Sequence, residues 1–192
     1  MNYHLPTLLF LLLIALTARG GEPGAVRLDR SYLNDEQLEE QLIGLRAAVN
    51  GEVLDEYVWT DGEEKVFTML SREQEAGTDF AGIFLRHFRV GKSVAPDLLW
   101  MYQDSVSCSG GVAGAVESQS PKLQPHRLVA DGQPQFVLRY RFTRGVGEDA
   151  FAALALINAA TGTPDLLLEG EKPALHLLPE EKRSALLTLL GK

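Results

Sequence analysis

Cysteine is almost missing from this chain: Cys108 is the only one in 192 residues. No internal disulfide can therefore brace the fold, and the apolar core must suffice alone. Histidine is nearly as scarce, with four residues, His4 and three others, His87, His126 and His176. None of these stands at the close spacing of a zinc helix or hairpin, so no metal site and no cofactor is expected. Positive charge is also in deficit, 18 Lys and Arg against 26 Asp and Glu. An acidic surface repels phosphate backbones and anionic lipid, which argues against nucleic acid as a partner and against a basic membrane patch.

Long apolar runs are missing too, with one exception. Residues 8–16 (LLFLLLIAL) are uninterrupted apolar sequence, extended loosely over 5–18. That is the length of a signal-peptide core and short of the roughly 20 residues a membrane span needs. Ala18-Arg19-Gly20 supplies the small residues of a cleavage site, so residues 1–20 read as a signal peptide of bacterial type. The segment before the run carries no Lys or Arg. The expected compartment is the periplasm or the cell exterior, with no stable membrane span after cleavage. Loss of Arg19 takes the net charge from −8 to near −9. The remaining residues suffice for one domain burying about 70% of its extended surface.

What is present patterns as an α+β domain over 34–192, after a flexible lead at 21–33. A helix is expected over 34–49. Asn34 caps it, Gln37 completes a capping box, and Leu38, Leu42, Leu45 and Val49 form a stripe ending at Asn50-Gly51. That stripe is expected to pack on the domain's own sheet. Residues 52–170 then read as a predominantly antiparallel β meander. Val53, Tyr57 and Trp59 share one strand face before the Asp61-Gly62 turn, and strands follow at 65–70, 84–90 and 97–108. In 97–108, Leu98, Trp100, Tyr102, Val106 and Cys108 alternate inward, with Asp104 intruding. Phe136, Leu138, Tyr140 and Phe142 alternate with Val137, Arg139, Arg141 and Thr143, which predicts one core face and one wet face. Gly145-Val-Gly147 leads to a central apolar strand at 151–158, and another follows at 165–168. The stretch 109–125, rich in Gly, Ser and Pro, reads as a long loop or wandering edge. A second helix at 179–190 opens on Pro179, Glu180 and Glu181 and buries Leu186, Leu187 and Leu190.

No motif here carries chemistry by itself. Ser107-Cys-Ser-Gly-Gly111 places a thiol before a glycine turn, and Cys108 with His87 or His126 is the one nucleophile–base pairing the composition permits. A buried, inert thiol is the ordinary alternative. Gly110-Gly-Val-Ala-Gly114 lacks the Lys-Ser/Thr of a phosphate loop. Asp61, Glu63 and Glu64 sit in a turn, and Asp131-Gly132 offers a single oxygen ligand, too few for calcium. Tyr57, Trp59, Trp100 and Tyr102 are the natural contacts for a sugar if exposed, and core residues otherwise.

Trp59-Thr-Asp61 with Gly62-Glu63, the returning strand through Val66 and Leu70, and Leu98-Leu-Trp-Met-Tyr-Gln-Asp-Ser-Val-Ser-Cys108 resemble one pattern. It is that of small exported bacterial proteins associated with surface polysaccharide biosynthesis. The resemblance spans about residues 52–170. The chain departs from it at Glu64, where such proteins tend to have Asn, and at Val129-Ala-Asp-Gly-Gln-Pro134, which lacks most of an acidic turn. The resemblance implies a role in the cell envelope and supplies no catalytic residues. The expectation is a non-catalytic envelope protein whose partner is an envelope protein or polysaccharide. The alternatives are an envelope hydrolase or transferase built on Cys108, and a small partner-binding or inhibitor protein acting through the 109–125 loop.

Overall fold

The computed structural model describes residues 36–49, 51–61, 64–74, 80–90, 96–107, 115–143, 151–170 and 173–191. The segments expected as signal peptide and lead (1–33), Gly62, Gly110, Gly111, Gly114, Gly145, Gly147 and Cys108 lie outside the described residues. Helix α1 (Glu36–Ala48) precedes eight strands: β1 (Glu52–Asp61), β2 (Glu64–Gln74), β3 (Phe80–Val90), β4 (Asp97–Ser107), β5 (Ala115–Ser118), β6 (Gln135–Thr143), β7 (Phe151–Asn158) and β8 (Pro164–Glu169). A short 3-10 turn (Leu175–Leu177) and helix α2 (Glu180–Leu189) close the chain. No helix among the described residues is long and apolar enough to cross a membrane.

The strands form two four-stranded sheets, ordered β1-β2-β3-β4 and β5-β6-β7-β8. Every pairing joins consecutive strands and is antiparallel. The meander read from the sequence is therefore present, divided into two sheets that face one another. Between them lies the largest cluster of buried apolar residues, including Trp59, Leu70, Leu85 and Tyr102 from the first sheet and Phe136, Leu138, Tyr140 and Phe142 from the second. Bulk on one strand meets smallness on the next, for Tyr140 pairs with Ala153 and Leu138 with Ala155. This is how an interior reaches crystal-like density without strained rotamers.

Each sheet also has a helix on its outer face. Leu42 of α1 packs with Val58, Phe67, Met69, Phe88 and Val90, which confirms that the stripe lies on the domain's own sheet. Arg46 ties α1 to β1 through two hydrogen bonds to the Glu56 carboxylate, at 2.6 and 2.7 Å. Leu186 of α2 packs with Val137, Leu154 and Leu156. The result is four layers, helix, sheet, sheet, helix.

Three local expectations change. The outer face of β6 is wet only in part: Val137 is buried beneath α2, while Arg139, Arg141 and Thr143 are half-exposed. In α2, Leu189 joins Leu186 and Leu190 in the packed cluster, and Leu187 does not. Val53 does not share a face with Tyr57 and Trp59. A register shift between Val53 and Asp55 turns Val53 outward to the α1 cluster and leaves Leu54 against the inner one. One added residue in a strand moves everything before it to the other face. Within 109–125 the structure adds the short strand β5, paired with the end of β6.

At the β7–β8 turn, the backbone of Gly162 lies against the indole of Trp100. A Cβ there would sit 2.6 Å from the ring, and φ is +70°. Trp100 Nε1 donates to the Ala159 carbonyl in the same turn at 3.2 Å. Gly162→Ala is expected to destabilise the protein by about 1–3 kcal/mol through a left-handed alanine and ring displacement. Urea unfolding followed by tryptophan fluorescence measures it, and an unchanged midpoint with unchanged native emission would contradict the close approach.

Candidate functional site

At one end of the sandwich, β1 and β2 face β5 and the segment after it across an open cleft of about 480 Å³. Its floor is Leu54 and Leu70, and its rim carries Glu52, Asp55, Arg72, Glu117, Ser118, Gln119, Ser120 and Lys122. The rim is stitched together across elements. Arg72 on β2 donates from Nη2 to Glu52 on β1 at 2.6 Å and from Nη1 to the Val116 carbonyl on β5 at 3.3 Å. Asp55, on the same face of β1 as Tyr57 and Trp59, accepts the Leu123 N–H at 2.6 Å. The Gln119 N–H donates to the Arg139 carbonyl on β6, and Ser120 Oγ accepts the Arg139 N–H. Three carboxylates, two cations and two hydroxyls are thus held on fixed backbone. Glu117 and Lys122 are both exposed. Such a surface offers hydrogen-bond donors and acceptors to a polar ligand; no aromatic ring is among its lining residues.

The four aromatic candidates lie elsewhere. Tyr57, Trp59 and Tyr102 are buried in the inter-sheet core and Trp100 is half-buried against it, so they do not form an exposed sugar platform. Their inward period-two rows are what a sandwich uses as core. His87 joins them. Its ring stacks on Trp100 at 4.6 Å between centroids, and Trp59 is 5.8 Å away. Nδ1 is hydrogen-bonded to Thr68 Oγ1 at 2.8 Å. Burial pulls the His87 pKa from 6.5 to about 4, and burial lowers that of His126 as well. A ring held neutral among aromatics and only 4% exposed meets no solvent-borne substrate. His126 is buried too, in an isolated bridge with Gln135. Cys108, the proposed nucleophile, falls outside the described residues, so the pairing has no described geometry.

Asp104, the polar intruder on the inner row of β4, has a definite task. It accepts the Tyr140 hydroxyl at 2.6 Å, and that hydroxyl lies 2.8 Å from Tyr102 OH. Because the Tyr140 proton points to Asp104, Tyr102 is the donor to Tyr140, giving a directed chain that joins the sheets. Burial first, and the Asp104 hydrogen bond next, push the Tyr140 pKa far up. The group is a structural clasp, since both phenols stay protonated throughout the physiological range.

Comparison of the chain with family models, curated proteins and solved structures returned no match. The chemistry therefore rests on the residues themselves. Among the described residues, no three His, Cys, Asp or Glu side chains gather as metal ligands. The cleft residues were not singled out from sequence because they come from two distant stretches, 52–72 and 117–122. The one available signal was the polar 109–125 segment, too long for an idle connection.

Proposed function

We propose that this chain is an exported, non-catalytic binding protein of the bacterial cell envelope. Its ligand is a hydroxyl-rich segment of surface polysaccharide, held in the cleft between β1–β2 and β5. The observation that carries the binding reading is the cleft itself. Hydroxyl, carboxylate, amide and cationic groups line one concavity, and Arg72, Asp55 and Ser120 among them are fixed by hydrogen bonds that reach β5, the segment after it and β6. Preorganised groups lose little freedom on binding, which is where affinity for a polar ligand comes from. The signal-like run at 8–16 and the resemblance over 52–170 supply the compartment and the ligand class. The buried, neutral histidines favour binding over hydrolysis, because a general base must reach the proton it takes.

Titration of the labelled protein with oligosaccharides from the envelope of the source cell tests this by NMR. Amide shifts are expected to gather at 52–55, 70–72 and 117–122. Lys122→Ala and Glu117→Ala alter only exposed side chains and are expected to weaken binding by about tenfold together, some 1.4 kcal/mol, with unfolding unchanged. Shifts gathering around Trp100, or no shifts at all, would overturn the cleft assignment. Recovery of the chain from the cytoplasm with residues 1–20 attached would overturn the export assignment.

A further inference from the structure

Beyond β5 the chain touches β6 once more, arches away from it and returns. One foot of the arch stands at Arg139, whose carbonyl accepts the Gln119 N–H at 2.7 Å and whose N–H donates to Ser120 Oγ at 2.9 Å. The other stands at Gln135, which exchanges two backbone hydrogen bonds of 2.8 Å with His126. Pro121 and Pro125 have no N–H to offer a ladder, so the chain between the feet does not pair as a strand. The crown is Leu123, buried in the inter-sheet core, with its N–H donated to Asp55 of the facing sheet at 2.6 Å. The arch thus supplies the 119–122 wall of the cleft, and a few hydrogen bonds hold it in place.

The second foot contains a titratable ring in an uncompensated setting. His126 is 4% exposed, and its Nε2 is buried without a hydrogen-bond partner among the described residues. An imidazolium donates from both ring nitrogens, so its charge here would be buried with no acceptor at Nε2. The charged groups about this foot supply none. Arg127 is exposed and of the same sign, Asp165 on β8 accepts from Gln135 Nε2, and Glu181 on α2 accepts from the Ala130 N–H at 3.3 Å. Burial lowers the pKa of the ring from 6.5. His87 is buried as well, but it lies within β3 between two paired strands and meets water only when the sheet comes apart. His126 needs only its own bridge to open, and openings of that size lie well below global unfolding in free energy.

We propose that protonation of His126 lifts the 119–126 arch off β6 and dismantles that wall of the cleft, so that acid weakens the hold on the ligand. The weakening rests on the cleft reading above; the opening of the arch does not. Above pH 6.5 the ring is neutral in both states and the arch stays closed. Below it the open state takes up a proton that the closed state does not, so the balance moves toward open as pH falls.

Amide hydrogen exchange of the full chain without ligand, corrected for the intrinsic rate at each pH, reads the opening. From pH 7 to 5, protection at Leu123, His126 and Gln135 is expected to fall by about tenfold. The fall is expected to coincide with proton uptake by the His126 ring, followed by NMR in the wild type. His126→Gln is expected to abolish it and His87→Gln to leave it in place. Envelope oligosaccharides are expected to bind about threefold more weakly at pH 5 than at pH 7, and equally at both in His126→Gln. Protection at these amides that is constant with pH, that falls as much in His126→Gln, or that persists once the ring has titrated would each overturn the arch opening. Oligosaccharide held equally at both pH values by an opened arch would overturn the weakening, and no binding at either pH would instead overturn the cleft reading.

Discussion

Truncation of Phe136 to alanine is expected to cost about 3–5 kcal/mol, the range for a buried aromatic whose neighbours cannot collapse into the gap. Phe136 is fully buried and pairs across its own sheet with Ile157. On the facing sheet its ring lies 6.5 Å from His87 and 6.1 Å from Trp100, between centroids. The side chain therefore joins the two sheets at the middle of the shared core. For a chain of this size, that loss lowers the thermal midpoint by roughly 6–20 °C. Leu177→Ala, at a residue 72% exposed, is the matched control and is expected to change little. Calorimetry of both variants decides it. A Phe136→Ala midpoint close to wild type would mean that the sheets do not share one interior.

The second large effect is acid destabilisation through His87. Unfolded, this imidazole titrates near 6.5; folded, burial holds it to about 4. Between those values the unfolded chain binds the extra proton, so stability is fully present above pH 6.5 and is lost as pH falls toward 4. The loss from this group is about 3 kcal/mol, and His126, shifted the same way, adds to it. Urea midpoints across this range measure the slope. Gln at position 87 keeps a hydrogen-bonding group opposite Thr68 and cannot become an imidazolium. His87→Gln should therefore remove most of the slope while leaving that of His126. An unaltered slope in the variant would place the titrating group elsewhere.

The fold class was legible because alternation is a strong signal wherever a strand's two faces differ. β6 shows it: Phe136, Leu138, Tyr140 and Phe142 occupy the inner face as the pattern requires. Where the signal misled, the cause was tertiary. Val137 lies in a row with Arg139, Arg141 and Thr143, and nothing local says that α2 will cover it. β5 is four residues in a Gly-, Ser- and Pro-rich stretch, held as a strand by its pairing with β6 rather than by its own composition. The division of one meander into two sheets could not be read either, since a strand facing a second sheet alternates just as one facing a helix does. The candidate site was the least legible part. Asp55 and Lys122 carry no motif, and they share a cleft only because the sandwich brings the ends of distant segments together. His87, His126 and the candidate aromatics Tyr57, Trp59 and Tyr102, chemically conspicuous in the sequence, went to the interior.

The pairing of every strand with its neighbour in sequence has a kinetic consequence. Ring closures between adjacent segments are short, so chain entropy is lost in small increments and hairpins can assemble one after another on the microsecond scale. The long-separation contacts are those that join the sheets, such as Tyr102 with Tyr140. During synthesis the first meander and its helix are complete before the second has emerged. Until then, Trp59, Leu70 and Leu85 line a broad, oily surface awaiting its cover. The stage most vulnerable to clumping is thus the half-made molecule rather than the finished one.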